Sequence, residues 1–484
     1  MKLSKLLESV FEIKYAPFKD VEVSSVFDDS RKCETGSVFV AISGHSFDGH
    51  SYVNDAYKNG ARVFVLSKRI KMPNDIVVIY SKNTRKTLAE MCASINEHPE
   101  KNLVCVGVTG TKGKTTTTVF LSKILSRLGI KNISVGTLGI AETGSFDAAE
   151  TQNTTPSPPV LFSALRKAYE NGARVACIEV SSQALKDFRV YGIPFQFVAF
   201  TGLSRDHIGG AEHTDMSDYV RSKRILFLGN SIKSAVVNSD DSYSMHISSA
   251  VAHVVKCGFS DNANFKITDF YDSNGGADFY VNGVKVKTLL PGAYNATNIS
   301  IALALATEIT GKSLKSAARF VDGVKVKGRF ESFIIDEKNV IVDYAHNGDS
   351  FQKIISLSRR LFSGRVICVF GSVGQRCFDR RRELAETAEK YADFSVITSD
   401  NSGYELPLGI CADIYSHFAD KTKAKIIVKR DEAITYAVKE AKSGDCVLIL
   451  GRGHEEKIDV CGKSIAFSDA EFIKQLKTTV QVVK

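Results

Sequence analysis

The chain contains no apolar run approaching the roughly 20 residues that a membrane-spanning helix needs. Its first residues, Met1-Lys-Leu-Ser-Lys-Leu-Leu-Glu8, reach an acidic side chain before any signal-peptide core forms. These absences argue against membrane insertion and predict a cytoplasmic location. Internal repeats, low-complexity tracts and long linkers are also missing, so fibrous and repeat architectures are not expected.

Paired cysteine motifs are absent as well. The ten cysteines are scattered from Cys33 to Cys461, and none forms a Cys-x-x-Cys pair. This spacing argues against a disulfide framework and against a zinc knuckle, and it predicts reduced, mostly buried thiols.

The formal charge of +9 is spread along the chain and is not accompanied by an aromatic-basic recognition motif. Small polyanions therefore explain the positive surplus as well as nucleic acid does, and no nucleic-acid partner is expected. Hydrophobic content of 44% with 24% charged residues is typical of a globular protein. A length of 484 residues fits about two to four domains, and the expected state is a monomer.

Short apolar runs divide the chain into three blocks with domains expected at residues 1–99, 100–327 and 328–484. Near-continuous apolar runs that alternate with helical patterns are typical of parallel sheets covered on both faces. The predicted fold class is therefore α/β, with a central P-loop parallel sheet and a C-terminal Rossmann-like domain. The predicted strands are 38–42, 63–66, 76–79, 174–180, 195–200, 340–342, 366–370, 396–397 and 447–450.

A phosphate-binding turn is predicted where the run Thr109-Gly-Thr-Lys-Gly-Lys-Thr-Thr116 joins an apolar strand to a helical pattern. Glycines at 110 and 113 let backbone N–H groups approach phosphate oxygens. Lys114 can reach the outer phosphates, and Thr115 can offer its hydroxyl to Mg²⁺. Val108 stands where the strict P-loop pattern has glycine. The turn nevertheless indicates a nucleoside triphosphate.

Two candidate ligands follow the predicted strands of the central block. Ligands of open parallel sheets gather at the carboxyl ends of strands, where Glu179 and His207 fall. A carboxylate beside a triphosphate can hold Mg²⁺, and a neutral imidazole can add a further ligand. Ser181 and Ser182 supply hydroxyls suited to a polar substrate or to capping the next helix. In the third block, Gly371-Ser-Val-Gly374 lacks the full dinucleotide spacing, so no nicotinamide or flavin site is expected.

Eight motifs occur in the order seen in the Mur ligase family. They are Thr109-Gly-Thr-Lys-Gly-Lys-Thr-Thr116, Asn153-Thr-Thr155, Glu179-Val-Ser-Ser182, Leu203-Ser-Arg-Asp-His207, Gly292-Ala-Tyr-Asn295, Gly328-Arg-Phe-Glu331, Asp343-Tyr-Ala-His346 and Gly451-Arg-Gly-His-Glu455. The chain resembles this family of ATP-dependent amide-forming ligases of peptidoglycan synthesis. It is most similar to the MurE type, which adds the third amino acid to UDP-N-acetylmuramoyl-L-alanyl-D-glutamate.

The resemblance implies three domains: one for the uridine nucleotide, a central ATPase and a third that brings the incoming amino acid. It also implies that ATP phosphorylates the substrate carboxylate and that an amine attacks the acyl phosphate. The implied catalytic residues are Lys114, Glu179, His207 and Lys223, the last of them carbamylated. His207 and nearby carboxylates are also candidates for the base that deprotonates the amine, and the sequence does not choose among them.

The resemblance also implies the ligand contacts. Those to ATP are Gly110, Thr111, Lys112, Gly113, Lys114, Thr115, Thr116, Asn295, Arg329 and Asp343. Those to Mg²⁺ are Thr115, Glu179, His207 and Lys223. Those to the UDP-muramoyl-peptide are Ser30, His45, Asn153, Thr154, Thr155, Ser181, Asp187 and Arg189. Those to the amino acid are Arg376, Asp400, Asn401, Gly451 and Glu455.

The identity of the amino acid depends on one departure from the family pattern. Relatives that add meso-diaminopimelate carry Asp-Asn-Pro-Arg, whose arginine holds the far carboxylate, whereas this chain has Asp400-Asn-Ser-Gly403. Losing such a charged contact costs roughly 2 to 5 kcal/mol. Lysine is therefore expected first and ornithine next. The alternative keeps diaminopimelate and moves the clamp to Arg380, Arg381 or Arg382.

Three other functions compete with this interpretation. A folylpolyglutamate synthetase shares the fold, but Asp29-Ser-Arg31 and the following Gly44-His45 segment match a uridine-nucleotide domain instead. A catalytically silent scaffold has no need of Lys114, Glu179 and the other metal and phosphate residues. A nucleic-acid motor is disfavoured because no arginine-finger or strand-tracking motif is evident.

Overall fold

The computed structural model describes residues 1–44, 47–143, 153–204, 208, 212–375 and 378–482, with side chains described as far as residue 476. The chain divides into two compact units. The first comprises residues 1–268, 281–284 and 297–321, and the second comprises 269–280, 285–296 and 322–484.

The N-terminal part of the first unit is a five-stranded sheet with the order β1-β5-β4-β3-β2. Four of its strands run parallel, and β1 pairs antiparallel with β5. The valine and phenylalanine side chains of β3 and β4 are buried on both faces of the sheet, as expected for strands inside a parallel sheet. The strands are β1 Ile13–Tyr15, β2 Ser25–Phe27, β3 Ser37–Val40, β4 Val63–Leu66 and β5 Val77–Ser81, and the helices are α1 Leu3–Leu7, α2 Val53–Lys58 and α3 Thr84–Ile95.

The larger sheet of the first unit supports the predicted phosphate turn. Its strands are β6 Val104–Thr109, β7 Asn132–Gly136, β8 Gly139–Glu142, β9 Val175–Glu179, β10 Phe195–Phe200, β11 Ser234–Asn238, β12 Val254–Gly258 and the first residues of β13 Phe265–Ser273. Their order is β13-β12-β11-β10-β6-β9-β7-β8. Its helices are α4 Lys114–Arg127, α5 Pro158–Glu170, α6 Ser182–Lys186, α7 Met216–Arg224 and α8 Ser244–Ser248.

The register of this sheet brings three strand ends together. In the parallel pairs, Val108 lies opposite Glu179 and Thr109 lies opposite Phe200. The carboxyl ends of β6, β9 and β10 therefore meet at one edge, which is where α/β sheets bind ligands.

Helices α9 Ala293–Thr310 and α10 Leu314–Ala318 follow two strands of the second unit, β14 Gly276–Val281 and β15 Val284–Thr288. The main sheet of that unit has six strands in the order β16-β17-β21-β18-β19-β20, and all its pairs except β16 with β17 are parallel. The remaining strands are β16 Glu331–Ile335, β17 Lys338–Asp343, β18 Val366–Phe370, β19 Phe394–Ile397, β20 Ala424–Ile426, β21 Cys446–Leu450, β22 Lys457–Val460 and β23 Lys463–Ala466. The remaining helices are α11 Gly348–Leu361, α12 Phe378–Tyr391, α13 Pro407–Ser416, α14 Arg430–Glu440 and α15 Asp469–Val482.

The predicted fold class is confirmed, since both large sheets are mostly parallel and flanked by helices. The domain limits at 99 and 327 stay a prediction. Nine cysteines in the described chain are free thiols, and eight of these are buried. Within the described residues, no helix is both long enough and apolar enough to cross a bilayer.

Candidate active site

The predicted phosphate turn lies between the end of β6 and the start of α4. Gly110 and Gly113 both have positive φ, at 151° and 89°. A Cβ on Gly110 would overlap the Thr201 hydroxyl, and a Cβ on Gly113 would overlap the Asn298 amide. The turn therefore needs glycine at both positions, for backbone conformation and for space.

Two lysines donate to the same backbone carbonyl of this turn. Lys114 Nζ lies 2.9 Å from the Gly110 oxygen and 3.0 Å from the Thr111 oxygen. Lys223 Nζ, on α7, lies 3.0 Å from the Gly110 oxygen and 4.3 Å from the centre of the Tyr219 ring. Lys223 is 1% exposed and is therefore not the solvated helix lysine that its local sequence suggests. The structure brings Lys114 and Lys223 together at the turn.

Glu179 is buried at the end of β9 and receives three hydrogen bonds. The Thr115 hydroxyl lies 2.9 Å from Oε2, and Thr137 donates its hydroxyl to Oε2 at 3.0 Å and its N–H to Oε1 at 3.0 Å. Burial raises the pKa of the Glu179 carboxyl, while the Lys114 charge and these hydrogen bonds oppose that rise. Thr115 and Glu179, which are both predicted magnesium ligands, are hydrogen bonded to each other. Thr137 was not predicted, because only the sheet order places β7 beside β9.

The oxygens of Thr115 and Glu179 are the kind of ligand that Mg²⁺ prefers. Among the described residues, no group of three or more His, Cys, Asp and Glu side chains is arranged to hold a metal ion. Two oxygen ligands fit magnesium in a triphosphate site, because this ion keeps several waters and binds substrate phosphates.

Polar residues predicted to contact the UDP-muramoyl-peptide lie next to Glu179. Thr155 donates to the Glu179 backbone oxygen at 2.7 Å and accepts from the Ser181 N–H at 3.0 Å. Arg189 donates to the Thr155 oxygen at 3.1 Å and to Asp187 at 3.2 Å. These contacts hold four of the predicted residues in one cluster.

The other predicted substrate residues have simpler surroundings. The Thr154 hydroxyl lies 3.1 Å from that of Thr137, and Asn153 is exposed. Ser30 is buried, and its carbonyl accepts from Asn59 at 2.9 Å. His45, His207 and Arg376 lie outside the described residues, so the ligand roles predicted for them stay predictions.

Three predicted ATP contacts belong to the second unit. Asp343, at the end of β17, accepts from the N–H groups of Phe330 and Ala345, each at 2.8 Å. The Arg329 guanidinium lies 4.5 Å from the centre of the Tyr344 ring, and the Asn295 amide donates to Pro291 at 2.7 Å. Both carboxylate oxygens of Asp343 are held by backbone, which fixes its orientation.

Four of the predicted amino-acid contacts, Asp400, Asn401, Gly451 and Glu455, lie close together in the second unit. Asn401 donates to Glu455 at 2.8 Å and accepts from the Asp459 N–H at 2.8 Å. A Cβ on Gly451 would lie 2.7 Å from Asp400 Oδ2, so glycine keeps this approach open. Burial and the nearby Asp400 charge raise the pKa of Glu455 to about 7. Asp400 and Glu455 are therefore neighbouring acidic groups, a pairing that suits an ammonium ion.

Arg452 lies beside Glu455 and was not predicted. Its side chain is fully buried, donates to the carbonyls of Lys457 and Phe467 at 2.6 and 3.0 Å, and lies 3.5 Å from Glu455. The positive charges of Arg452 and Arg430 oppose the rise in the Glu455 pKa. The motif Gly451-Arg-Gly-His-Glu455 predicts contacts for its first and last residues only. The burial of Arg452 is visible only in the structure.

At Gly403 a side chain would be strained by the backbone conformation and would displace the end of the Gln375 side chain. Gly403 has φ 57°, and a Cβ there would overlap Oε1 of Gln375, which accepts from the Tyr404 N–H at 3.2 Å. Arg381 is buried and pairs with Glu405 at 2.8 Å and Asp413 at 3.0 Å. Arg382 pairs with Glu386 at 2.7 Å on the surface. Two of the three candidate replacement clamps are therefore already engaged.

A phosphate turn backed by a buried carboxylate is the arrangement expected of a nucleoside-triphosphate site. Three family models match the chain in succession: "Mur ligase family, catalytic domain" over residues 22–97, "Mur ligase middle domain" over 108–306 and "Mur ligase, glutamate ligase domain" over 328–453. The chain belongs to the Mur ligase family.

Individual relatives agree with this assignment. The UDP-N-acetylmuramoyl-L-alanyl-D-glutamate--2,6-diaminopimelate ligase of Aquifex aeolicus is 35% identical over 94% of this chain and 93% of its own length. A solved structure of an enzyme of the same name is 27% identical, with a TM-score of 0.65 and 95% of each chain covered. Mycobacterium tuberculosis folylpolyglutamate synthase with ADP is 16% identical, has a TM-score of 0.64 and covers 76% of this chain and 92% of its own.

These findings confirm the predicted family and the predicted class of enzyme, an ATP-dependent ligase of peptidoglycan synthesis. The folylpolyglutamate alternative is not favoured, because the likeness to that enzyme shows a shared fold alone. The individual site residues stay predictions, and the geometry above describes how the structure arranges them.

Proposed function

We propose that this ligase joins a diamino acid to UDP-N-acetylmuramoyl-L-alanyl-D-glutamate. One observation carries the proposal: Thr115 and Glu179 are buried and hydrogen bonded to each other at the phosphate turn, where Lys114 also lies. Relatives that match nearly the whole chain are named for this muramoyl acceptor, which supports its transfer to this chain. The uridine nucleotide, in this proposal, contacts Ser30 and His45, and the peptide contacts the cluster around Thr155 and Arg189.

The proposed chemistry has two transfers. An oxygen of the acceptor carboxylate attacks the γ-phosphorus of ATP, forming an acyl phosphate as ADP leaves. The amine of the incoming amino acid then attacks the carbonyl carbon, and inorganic phosphate leaves as the amide forms and the amine loses its proton. Lys114 offsets the repulsion between carboxylate and triphosphate, a positioning and electrostatic role.

Magnesium is the proposed metal, held through Thr115, Glu179 and His207. It would neutralise phosphate charge that the protein's cations alone leave uncompensated. We further propose that Lys223 is carbamylated. Its amine is buried at the turn, and addition of CO₂ would replace a cation with an anion able to help hold a cation there.

The proposed amino acid is lysine, followed by ornithine. An acidic pocket at Asp400 and Glu455 suits an ammonium group, and the Gly403 loop offers no arginine for a distal carboxylate. The names of the relatives favour diaminopimelate instead, which makes it the second candidate. We further propose that the protein is a monomer. Its proposed location is the cytoplasm, where ATP is available and thiols stay reduced.

Release of ADP from the purified protein tests the proposal. UDP-N-acetylmuramoyl-L-alanyl-D-glutamate is supplied with ATP, Mg²⁺ and either lysine, ornithine or meso-diaminopimelate. We expect turnover with lysine and a lower kcat/KM with diaminopimelate. Preference for diaminopimelate would overturn the role given to Gly403, and turnover with a folate acceptor alone would overturn the proposed acceptor.

A matched pair of lysine variants tests the site itself. Lys114→Ala should abolish ADP release, because Lys114 is the residue assigned to the outer phosphates. Lys167→Ala, on an exposed position of α5, should leave it unchanged. Equal activity in both variants would show that the turn is not the ATP site.

A further inference from the structure

A buried histidine connects two helices beside the phosphate turn. His213 is 1% exposed, and its Nε2 lies 2.9 Å from the Ser182 hydroxyl at the start of α6. Its Nδ1 lies 3.1 Å from a carboxylate oxygen of Asp218 in the first turn of α7. Neither the motifs nor the proposed function uses this imidazole.

The surrounding charges fix the tautomer of His213. Hydrogen bonding from Lys186, at 2.9 Å, and from His213 lowers the pKa of Asp218, so this carboxylate is ionised. Burial lowers the pKa of His213, so its ring is neutral near pH 7. The Nδ1–H group therefore donates to Asp218, and Nε2 accepts from the Ser182 hydroxyl.

Tyr219 carries this link to the phosphate turn. Its ring centre lies 4.8 Å from that of His213, and its hydroxyl donates to Thr111 Oγ1 at 3.1 Å. One turn further along α7, Lys223 rests on the same Tyr219 ring and donates to Gly110. Two residues of α7 thus reach the turn, and His213 packs against one of them.

We propose that His213 is a positioning residue of the ligase reaction. By holding Asp218 and packing against Tyr219, it fixes α7 so that Tyr219 keeps Thr111 and Lys223 in place at the turn. The inference rests on the proposed ATP site. It adds a residue that acts on catalysis through Tyr219.

The order Ser182, His213 and Asp218 is also that of a hydrolytic triad, and the surroundings argue against that role. The Ser182 side chain is buried at 6% exposure, so an acyl substrate has no access to its hydroxyl. Asp218 is shared with Lys186, which spreads its charge over two partners. A structural link explains these contacts better than a nucleophile does.

Three substitutions of His213 separate the two hydrogen bonds. His213→Ala removes both, and we expect a loss of roughly 10- to 100-fold in kcat for ADP release, because small displacements of catalytic groups are costly. His213→Asn places an amide near the former Nδ1, so it should restore most of kcat. His213→Gln reaches the former Nε2 and keeps only Ser182, so it should restore little.

The KM for the muramoyl acceptor should stay within about twofold in all three variants, because the effect acts through the phosphate turn. His246→Ala, at an exposed position on α8, is the control and should be fully active. Thermal unfolding of each variant establishes the folded fraction to which kcat is normalised. Normalised kcat values equal to wild type would overturn the proposal.

A double-mutant cycle with Tyr219→Phe tests the route. If His213 acts through the Tyr219 hydroxyl and Thr111, then His213→Ala should cost less in the Tyr219→Phe background than in wild type. Equal fold losses in both backgrounds would indicate a general structural role and overturn the proposal. Covalent labelling of Ser182 by a fluorophosphonate would overturn it in favour of a hydrolase. Failure of the ATP site would appear separately, as wild-type protein without ADP release or as an active Lys114→Ala variant.

Discussion

Asn401 donates a hydrogen bond from Nδ2 to the Glu455 carboxylate at 2.8 Å, and the same amide accepts from the Asp459 backbone. Both capacities of the amide are used, so its orientation is fixed and its donor group points at Glu455. This bond lowers the Glu455 pKa against the opposing effects of burial and Asp400. The Glu455 carboxylate therefore changes charge near neutral pH.

The first prediction concerns the pH dependence of stability. The pKa of Glu455 in the folded protein, about 7, lies above the ordinary glutamate value of 4.5. As pH rises between these values, the unfolded chain loses its proton first, so the folded state loses stability. Glu455→Gln should remove this loss and raise the free energy of unfolding near pH 8 by up to about 3 kcal/mol. Urea denaturation at several pH values measures it, and parallel curves for variant and wild type would contradict it.

The same group predicts the pH dependence of amino-acid binding. An ammonium ion is attracted by ionised Glu455, so the KM for the amino acid should fall as pH rises through about 7. Asn401→Ala removes a bond that favours the ionised form, so it should move this fall to higher pH. Initial rates at saturating ATP and acceptor give the profile. A profile unmoved by Asn401→Ala would contradict the assigned role of its amide.

Glu179→Gln separates catalysis from stability. The amide has nearly the same shape, and it removes a charge whose burial is costly. ADP release should fall by about 100-fold or more, in the range for lost electrostatic groups at phosphoryl-transfer sites, while thermal stability is maintained or increased. Activity and melting temperature are measured on the same sample. A stable variant with wild-type turnover would remove Glu179 from the site.

The Gly403 loop predicts an interaction between two positions. Gly403→Ala alone should destabilise the protein by about 1 to 3 kcal/mol, because φ is positive and Gln375 occupies the space. Gly403→Arg with Gln375→Gly should be better tolerated and should increase kcat/KM for diaminopimelate relative to lysine. Chemical denaturation and the three amino-acid assays measure both effects. Additive stability losses at positions 403 and 375 would contradict the overlap.

Two neighbouring arginines provide a matched test of ion-pair burial. Arg381 is buried and its partners Glu405 and Asp413 are partly exposed, so its loss should cost about 1.5 to 3 kcal/mol of unfolding free energy. Arg382→Ala breaks only the exposed pair with Glu386 and should cost less than about 1 kcal/mol. Equal losses from Arg381→Ala and Arg382→Ala would show that the buried pairs do not hold this segment.

Local patterns were sufficient to predict the strand and turn framework. The limits of β4, β10 and β18 match the apolar runs residue for residue, and the phosphate turn lies between strand and helix as expected. Contacts made across the sheet were not predictable in the same way. Thr137 reaches Glu179 only because β7 neighbours β9, and the overlap of Gln375 with Gly403 arises from two loops far apart in sequence. The burial of His213 and its contacts with Ser182 and Asp218 could be seen only in the structure, because no local motif indicates them.

The Gly110 carbonyl, shared by Lys114 and Lys223, has a consequence for how the turn accepts its nucleotide. Before Lys223 is carbamylated, a triphosphate that draws Lys114 away takes only one of two ammonium groups from this oxygen. Lys223 can keep its hydrogen bond to this oxygen, so the Gly110 peptide keeps its orientation while Lys114 moves to the phosphates. Nucleotide binding then replaces one of the two charged groups at the Gly110 oxygen and leaves the backbone of the turn nearly unchanged.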